Sequence, residues 1–279
     1  MGRGLSIALL VVSFLSCTSC TTNIMQSFGD ETSNEAIFTA ASKDLNTGSY
    51  DAALTKIADL TPEYAAQDKV VLLKASAYAG KCGLNFVDLI KGFENIGTKN
   101  FMILLMNLFR AGTTAKAGFC LQAEDLVETL GNTPATRTQD ENLFLALISF
   151  ARLGTWLSYY ADANNDLAVD NVDFCTAGTT VPDADIRKMG SAINIGLHSL
   201  IASGVSLGGT SFDTTILAAC AALGPQDFCS TYEPNPAAFT PQQISGIRIM
   251  IHEGPATNAI GIFSCVQPAD ASCGAPTCP

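Results

Sequence analysis

The chain has 279 residues, 48% hydrophobic and only 15% charged, with a formal net charge of −11. That much apolar material supports a sizeable core and argues against disorder. The acidity, without a basic run anywhere, argues against a nucleic-acid partner, which needs clustered Lys and Arg.

Met1-Gly2-Arg3-Gly4 gives a short positive start, followed by the apolar run Leu5–Leu15. Crossing a bilayer takes ~20 residues, so this shorter run reads as a secretory signal. Small residues precede two cysteines, in Phe14-Leu15-Ser16-Cys17 and Cys17-Thr18-Ser19-Cys20. Both resemble the lipobox of bacterial lipoproteins, whose cysteine is acylated and becomes the mature N-terminus. Lipidation at Cys20 leaves eight further cysteines, an even number; lipidation at Cys17 leaves nine. Parity therefore favours Cys20. The start Met1-Gly2 to Ser6 also matches an N-myristoylation pattern, but the apolar run and the cysteine load point to export. Thr rather than Asp after either cysteine implies, by the same resemblance, the outer membrane of a Gram-negative cell, with the body facing the periplasm. Residues 1–19 are thus expected as signal peptide and 20–33 as a polar tether. Residues 34–279 are expected as a single all-α domain, with a helical half over 34–161 and an acidic loop plus Cys-rich half over 162–279.

Helical periodicity begins at Asn34–Asn46, with Ile37, Ala40, Ala41 and Leu45 on one face. Gly48-Ser49-Tyr50 turns the chain, Asp51–Leu60 continues with Ala53, Leu54 and Ile57, and Pro62 closes the unit. The pattern resembles a tetratricopeptide repeat through Gly48 in the turn, Tyr50 at the start of the second helix, Ala53 at the close-packing position and Pro62 near the end. A shift of 36 residues places Leu73, Ala77, Phe86, Leu89, Ile90, Phe93 and Ile96 on the matching apolar positions. Such hairpins must stack to bury their inner faces. The fold expectation is therefore stacked helical hairpins (degenerate tetratricopeptide-like repeats) with a disulfide-rich, loop-rich C-terminal part. The consensus aromatic and glycine of the first helix are missing from both passes.

Phe101–Phe109 (FMILLMNLF) reads as a buried helix, Gly112–Gly118 as a turn, and Leu121–Leu130 as a further amphipathic helix. Asn142–Tyr160 is apolar on nearly every side, the mark of a helix at the centre of a stack. Asp183–Ser203, Thr210–Leu223 and Pro241–Ile251 follow as helices, the last with Thr240 as cap and Gln243 near the capping-box position. Gln267–Pro279 reads as a non-regular tail. Cys82, Cys120, Cys175, Cys220, Cys229, Cys265, Cys273 and Cys278 form no CxxC pair, so in an exported chain they read as disulfides rather than a zinc site. Separation along the chain suggests Cys82–Cys120, with the rest pairing among themselves.

Between the central helix and Cys175 lies Asp162-Ala-Asn164-Asn-Asp166-Leu-Ala168-Val-Asp170-Asn-Val-Asp173. Side-chain oxygens fall at loop positions 1, 3, 5, 9 and 12, with the Ala168 carbonyl at 7, the calcium spacing of an EF-hand. Leu167 stands where glycine normally turns the loop, at a cost on the order of 1 kcal/mol, and Asp173 is shorter than the usual glutamate. Trp156, Tyr159 and Tyr160 on the preceding helix are candidates to line a ligand pocket. Catalytic patterns are missing: His252-Glu253 lacks the second histidine of HExxH, and no GxSxG or phosphate-binding loop occurs. No enzyme activity is expected.

The lipobox, the repeat-like helices and the helical body together resemble the periplasmic lipoproteins of the TRAP-transporter T-component type, over roughly Asn34–Ser203. The resemblance implies a non-enzymatic scaffold that binds a periplasmic protein partner or a small apolar ligand, as an accessory to solute transport. The competing expectation is a structural envelope protein stabilised by disulfides and calcium.

Overall fold

The computed structural model describes residues 32–94, 100–175, 180–205, 212–253 and 260–263. Among them the chain forms eleven α-helices and no strand. The class is all-α.

Helices α1 (Asn34–Asn46) and α2 (Tyr50–Ala58) make a hairpin. Ser33 caps α1 by accepting from Ala36 N, which satisfies one of the orphan donors of the first turn. Gly48, at φ +75°, makes the turn in a conformation that a side chain would strain. The Asp44–Lys56 ion pair closes the hairpin, and Ala53 is fully buried. Pro62 does not close the unit: it opens a short helix, α3 (Pro62–Ala65), at a first-turn position where its missing N–H costs nothing. Tyr64 from α3 joins Ala41, Ile57, Leu60, Val70 and Leu73 in a small satellite core.

The second pass departs from the first. The 36-residue shift pairs α4 (Asp68–Cys82) with α5 (Phe86–Glu94), but α4 lies chiefly along α7 (Thr114–Glu128). Small residues explain the choice. Ala75 and Ala79 of α4 and Ala117 and Ala123 of α7 are all buried in the main core, so two backbones can approach closely there. The Cys82–Cys120 disulfide then fastens the pair, with Cα atoms 5.1 Å apart. α7 itself starts at Thr114, where Thr113 accepts from Lys116 N, so 112–118 is mostly helix rather than turn.

Helix α6 (Phe101–Leu108) buries Phe101, Met102, Leu105 and Met106. The axis of the molecule is α8 (Gln139–Ala161), started by a capping box between Thr138 and Glu141. By length and composition α8 could cross a membrane, but 78% of its apolar window is buried inside the protein. It packs on α6, α7 and, most extensively, α9 (Asp183–Ser203). Gly154 permits the α6 crossing, because a Cβ there would lie 2.5 Å from the Phe109 ring and 2.7 Å from the Leu105 carbonyl oxygen.

Helices α10 (Phe212–Ala222) and α11 (Pro241–His252) complete the body; α11, opened by the Thr240–Gln243 capping box, packs on α9. The Cys220–Cys229 disulfide joins α10 to the turn that follows it. Cys175 is likewise disulfide-bonded. The signal peptide with Cys17, residues 20–31 of the tether with Cys20, Cys265, Cys273, Cys278 and the 267–279 tail lie outside the described residues.

Candidate functional site

The acidic loop begins where α8 ends. Asp162 is the C-cap residue and only 1% exposed. Its Oδ1 accepts from Leu167 N at 3.3 Å, which directs the carboxylate across the loop, and its Oδ2 has no hydrogen-bond partner. Asn164 Oδ1 accepts from Asp166 N at 3.0 Å, and Asp166 Oδ1 accepts from Ala168 N at 2.8 Å. Asp170 Oδ2 accepts from Ala163 N at 2.8 Å. The Asn164 amide nitrogen donates to Asp166 Oδ2 at 3.1 Å and to Asp170 Oδ1 at 3.3 Å. Asn165 and Leu167 take the left-handed conformation, φ +60° and +70°. Asn164 thus joins Asp166 and Asp170, while Asp162 reaches Leu167 N in the same loop. Asp173 Oδ1 accepts from Cys175 N at 2.7 Å, just beyond the loop.

Two ties fix the loop to the body. Ala111 N donates to Asn165 Oδ1 at 2.7 Å, joining the loop to the turn before α7. On its far side Val172 and Phe174 are buried, and buried Arg248 of α11 donates to the carbonyls of Phe174 (2.6 Å) and Val181 (3.0 Å) while pairing with Asp183.

Trp156, Tyr159 and Tyr160 face one another, with ring centroids 4.8 to 6.0 Å apart. Tyr160 donates to Asp185 Oδ2 at 2.6 Å, and Lys188 Nζ sits 5.2 Å from the Trp156 ring centroid. Burial, and then that hydrogen bond to a carboxylate, raise the Tyr160 pKa. Trp156 and Tyr160 therefore fasten the end of α8 to the start of α9.

An open apolar groove lies elsewhere, with a volume of about 290 Å³, lined by Ser76 of α4, Phe86 of α5, and Asp140, Leu143, Phe144 and Leu147 of α8. The Phe86 and Phe144 rings are 5.6 Å apart at its wall. Phe86 and its neighbour Val87 are 39% and 57% exposed. Periodicity places Phe86 on the apolar face of the second repeat-like pass, not in a groove. The signal available was the pair of phenylalanines near the starts of two amphipathic segments, but no local pattern joins residues this far apart.

The histidines are engaged separately. His198 Nε2 lies 2.8 Å from the Cys229 carbonyl oxygen and its ring meets Tyr232 edge-on; His252 Nδ1 lies 3.1 Å from Glu253 Oε1. Cys175 stands with His252 and Glu253, and Asp227 with Cys220 and Cys229, at metal-ligand separations. All three cysteines are in disulfides and offer no thiolate. A buried ion pair was also missed. Glu124 of α7 faces Arg152 of α8, and burial, only partly offset by Arg152, pushes the Glu124 carboxyl up to about 7.

Comparison of the chain with protein-family models, with curated proteins and with solved structures finds no match.

Proposed function

We propose that this chain is a non-enzymatic lipoprotein of the bacterial cell envelope, a helical scaffold facing the periplasm that docks a protein partner at the groove between α4, α5 and α8. The observation that carries the reading is the groove itself. Its walls are apolar, and Phe86 and Val87 stand exposed beside it without serving the core. Protein interaction sites are marked by apolar patches of this kind, rimmed by polar residues such as Ser76 and Asp140. At about 290 Å³ and open to solvent, the groove is at the small end of the range for ligand sites, which enclose their ligands. It suits one or two apolar side chains of a partner better than a whole apolar molecule.

The lipobox-like cysteines, the acidity and the helical body support an envelope location and an anchor through Cys20. The α1–α2 hairpin, with Gly48 in its turn and Ala53 buried, supports a degenerate tetratricopeptide-like origin for the N-terminal half. Together they favour an accessory role in solute transport. Native mass spectrometry of the purified, oxidised chain tests the partner reading against a carrier. The mature chain is expected at the mass of the protein plus its covalent anchor; a further, non-covalently held apolar molecule in stoichiometric amount would transfer the function to ligand carriage.

A further inference from the structure

The acidic loop supports an inference independent of the groove. We propose that residues 162–170 bind one calcium ion, with side-chain oxygens of Asp162, Asn164, Asp166 and Asp170 and the Ala168 carbonyl as its donors. The first observation is the state of Asp162. It is 1% exposed, one carboxylate oxygen is held by Leu167 N across the loop, and the other has no hydrogen-bond partner. No ion pair reaches it among the described residues. A buried carboxylate without a counter-charge is costly, and the cost is relieved by a cation.

The second observation is what separates the other two carboxylates. The Asn164 amide nitrogen donates to both Asp166 and Asp170, so the positive end of one amide dipole serves two negative groups. A divalent cation neutralises the same oxygens more fully, and Asn164 then offers its own oxygen by turning the amide. The donors identify the ion. All are oxygens, drawn from carboxylates, an amide and a backbone carbonyl, with neither imidazole nor thiolate; this is the hard, flexible set that suits calcium, with waters completing its six to eight ligands. Asp173 is not counted among the donors, because its hydrogen bond runs out of the loop to Cys175 N whereas those of the other carboxylates stay within it. Without a bidentate twelfth-position carboxylate the affinity belongs with extracellular modules, a Kd of about 10⁻⁴ to 10⁻³ M. The ion's role is structural, since the loop is pinned at Ala111 on one side and through Phe174 to Arg248 on the other.

The test uses the full-length, oxidised chain in detergent, stripped with chelator and titrated with calcium chloride by calorimetry. Terbium luminescence, sensitised by Trp156, Tyr159 and Tyr160 at the adjoining end of α8, gives a second readout. One equivalent of calcium is expected, displacing terbium where equal magnesium does not. Asp166→Asn, at an exposed position, is expected to weaken calcium at least about tenfold with the circular dichroism unchanged, and Asp173→Asn to leave the affinity within about twofold. Asp162→Asn, which keeps its shape but not its charge, is expected to match Asp166→Asn. No saturable binding up to about 10 mM calcium, ten times the weak end of the expected range, would overturn the proposal. So would binding that survives Asp166→Asn unchanged.

Discussion

Arg152 Nη2 stands 3.0 Å from Glu124 Oε2 in the middle of the molecule, with the two side chains only 2% and 1% exposed. The pair makes no well-directed hydrogen bond, although Arg152 also donates to Ser191 Oγ, which in turn donates to the Pro234 carbonyl. One polar chain thereby links α7, α8, α9 and the segment before α11. Removing charges from water costs several kcal/mol per ion, so such a pair specifies how helices meet more than it stabilises them.

The pair sets a pH dependence. Glu124 titrates near 7 in the folded chain, against an ordinary 4.5. A carboxyl raised on folding contributes stability that is fully present below about 4.5 and lost as pH rises through about 7. The unfolding free energy is expected to be larger at pH 5 than at pH 8, by up to about 3 kcal/mol. Asp125, also raised by burial, acts in the same direction. Glu124→Gln is expected to flatten most of the difference, read by urea denaturation at the two pH values.

The two disulfides between described cysteines differ in what they close. Cys82–Cys120 spans 38 residues and Cys220–Cys229 spans 9. On loop-closure entropy the first contributes about 4 kcal/mol and the second under about 3 kcal/mol. Replacing Cys82 and Cys120 together by alanine is therefore expected to cost more than the same change at Cys220 and Cys229, in parallel urea titrations.

Glycines in and beside α7 separate packing from propensity. A Cβ on Gly112 would fall 2.2 Å from the Thr155 carbonyl oxygen and 2.8 Å from Tyr159 N, backbone atoms of α8 that cannot move aside, whereas Gly118 faces open space. Gly112→Ala is expected to destabilise by about 2–3 kcal/mol. Gly118→Ala, in a helix interior, should stabilise by about 0.5–1 kcal/mol. Thermal unfolding of the two variants should shift in opposite directions.

Leu167 holds φ +70° while 38% exposed. The left-handed conformation costs a leucine about 1–2 kcal/mol, of which glycine's greater unfolded freedom returns part. Leu167→Gly is expected to raise stability by up to about 1 kcal/mol and to tighten calcium binding. Leu167→Val, with a branch at Cβ, should do the reverse in the same assay.

Much of the helical framework was legible because helix ends carry local chemistry. The Thr240–Gln243 box marked α11, and Asn34–Asn46 and Asp183–Ser203 match their helices residue for residue. Helix partners were not legible. Nothing local says that α4 chooses α7 over α5, because the choice rests on small residues at Ala75, Ala79, Ala117 and Ala123 meeting across some forty positions. Nor does any local pattern say that Glu124 and Arg152 meet in the core. In the loop, spacing pointed to Asp162, Asn164, Asp166, Ala168, Asp170 and Asp173, but it carried no sign of the hydrogen bonds from Asn164 to Asp166 and Asp170 or from Cys175 N to Asp173. The groove was invisible for the same reason as the helix partners: Ser76, Phe86 and Phe144 share no local pattern.

The most direct test of the scaffold reading is site-specific photo-crosslinking in intact cells. A benzophenone side chain replaces Val87 beside the groove, with a control at exposed Glu63 outside it. The account predicts one discrete protein adduct at position 87, lost when Leu143→Asp places a charge in the groove, and no such adduct at position 63. No adduct at 87, or the same pattern at both positions, would contradict it.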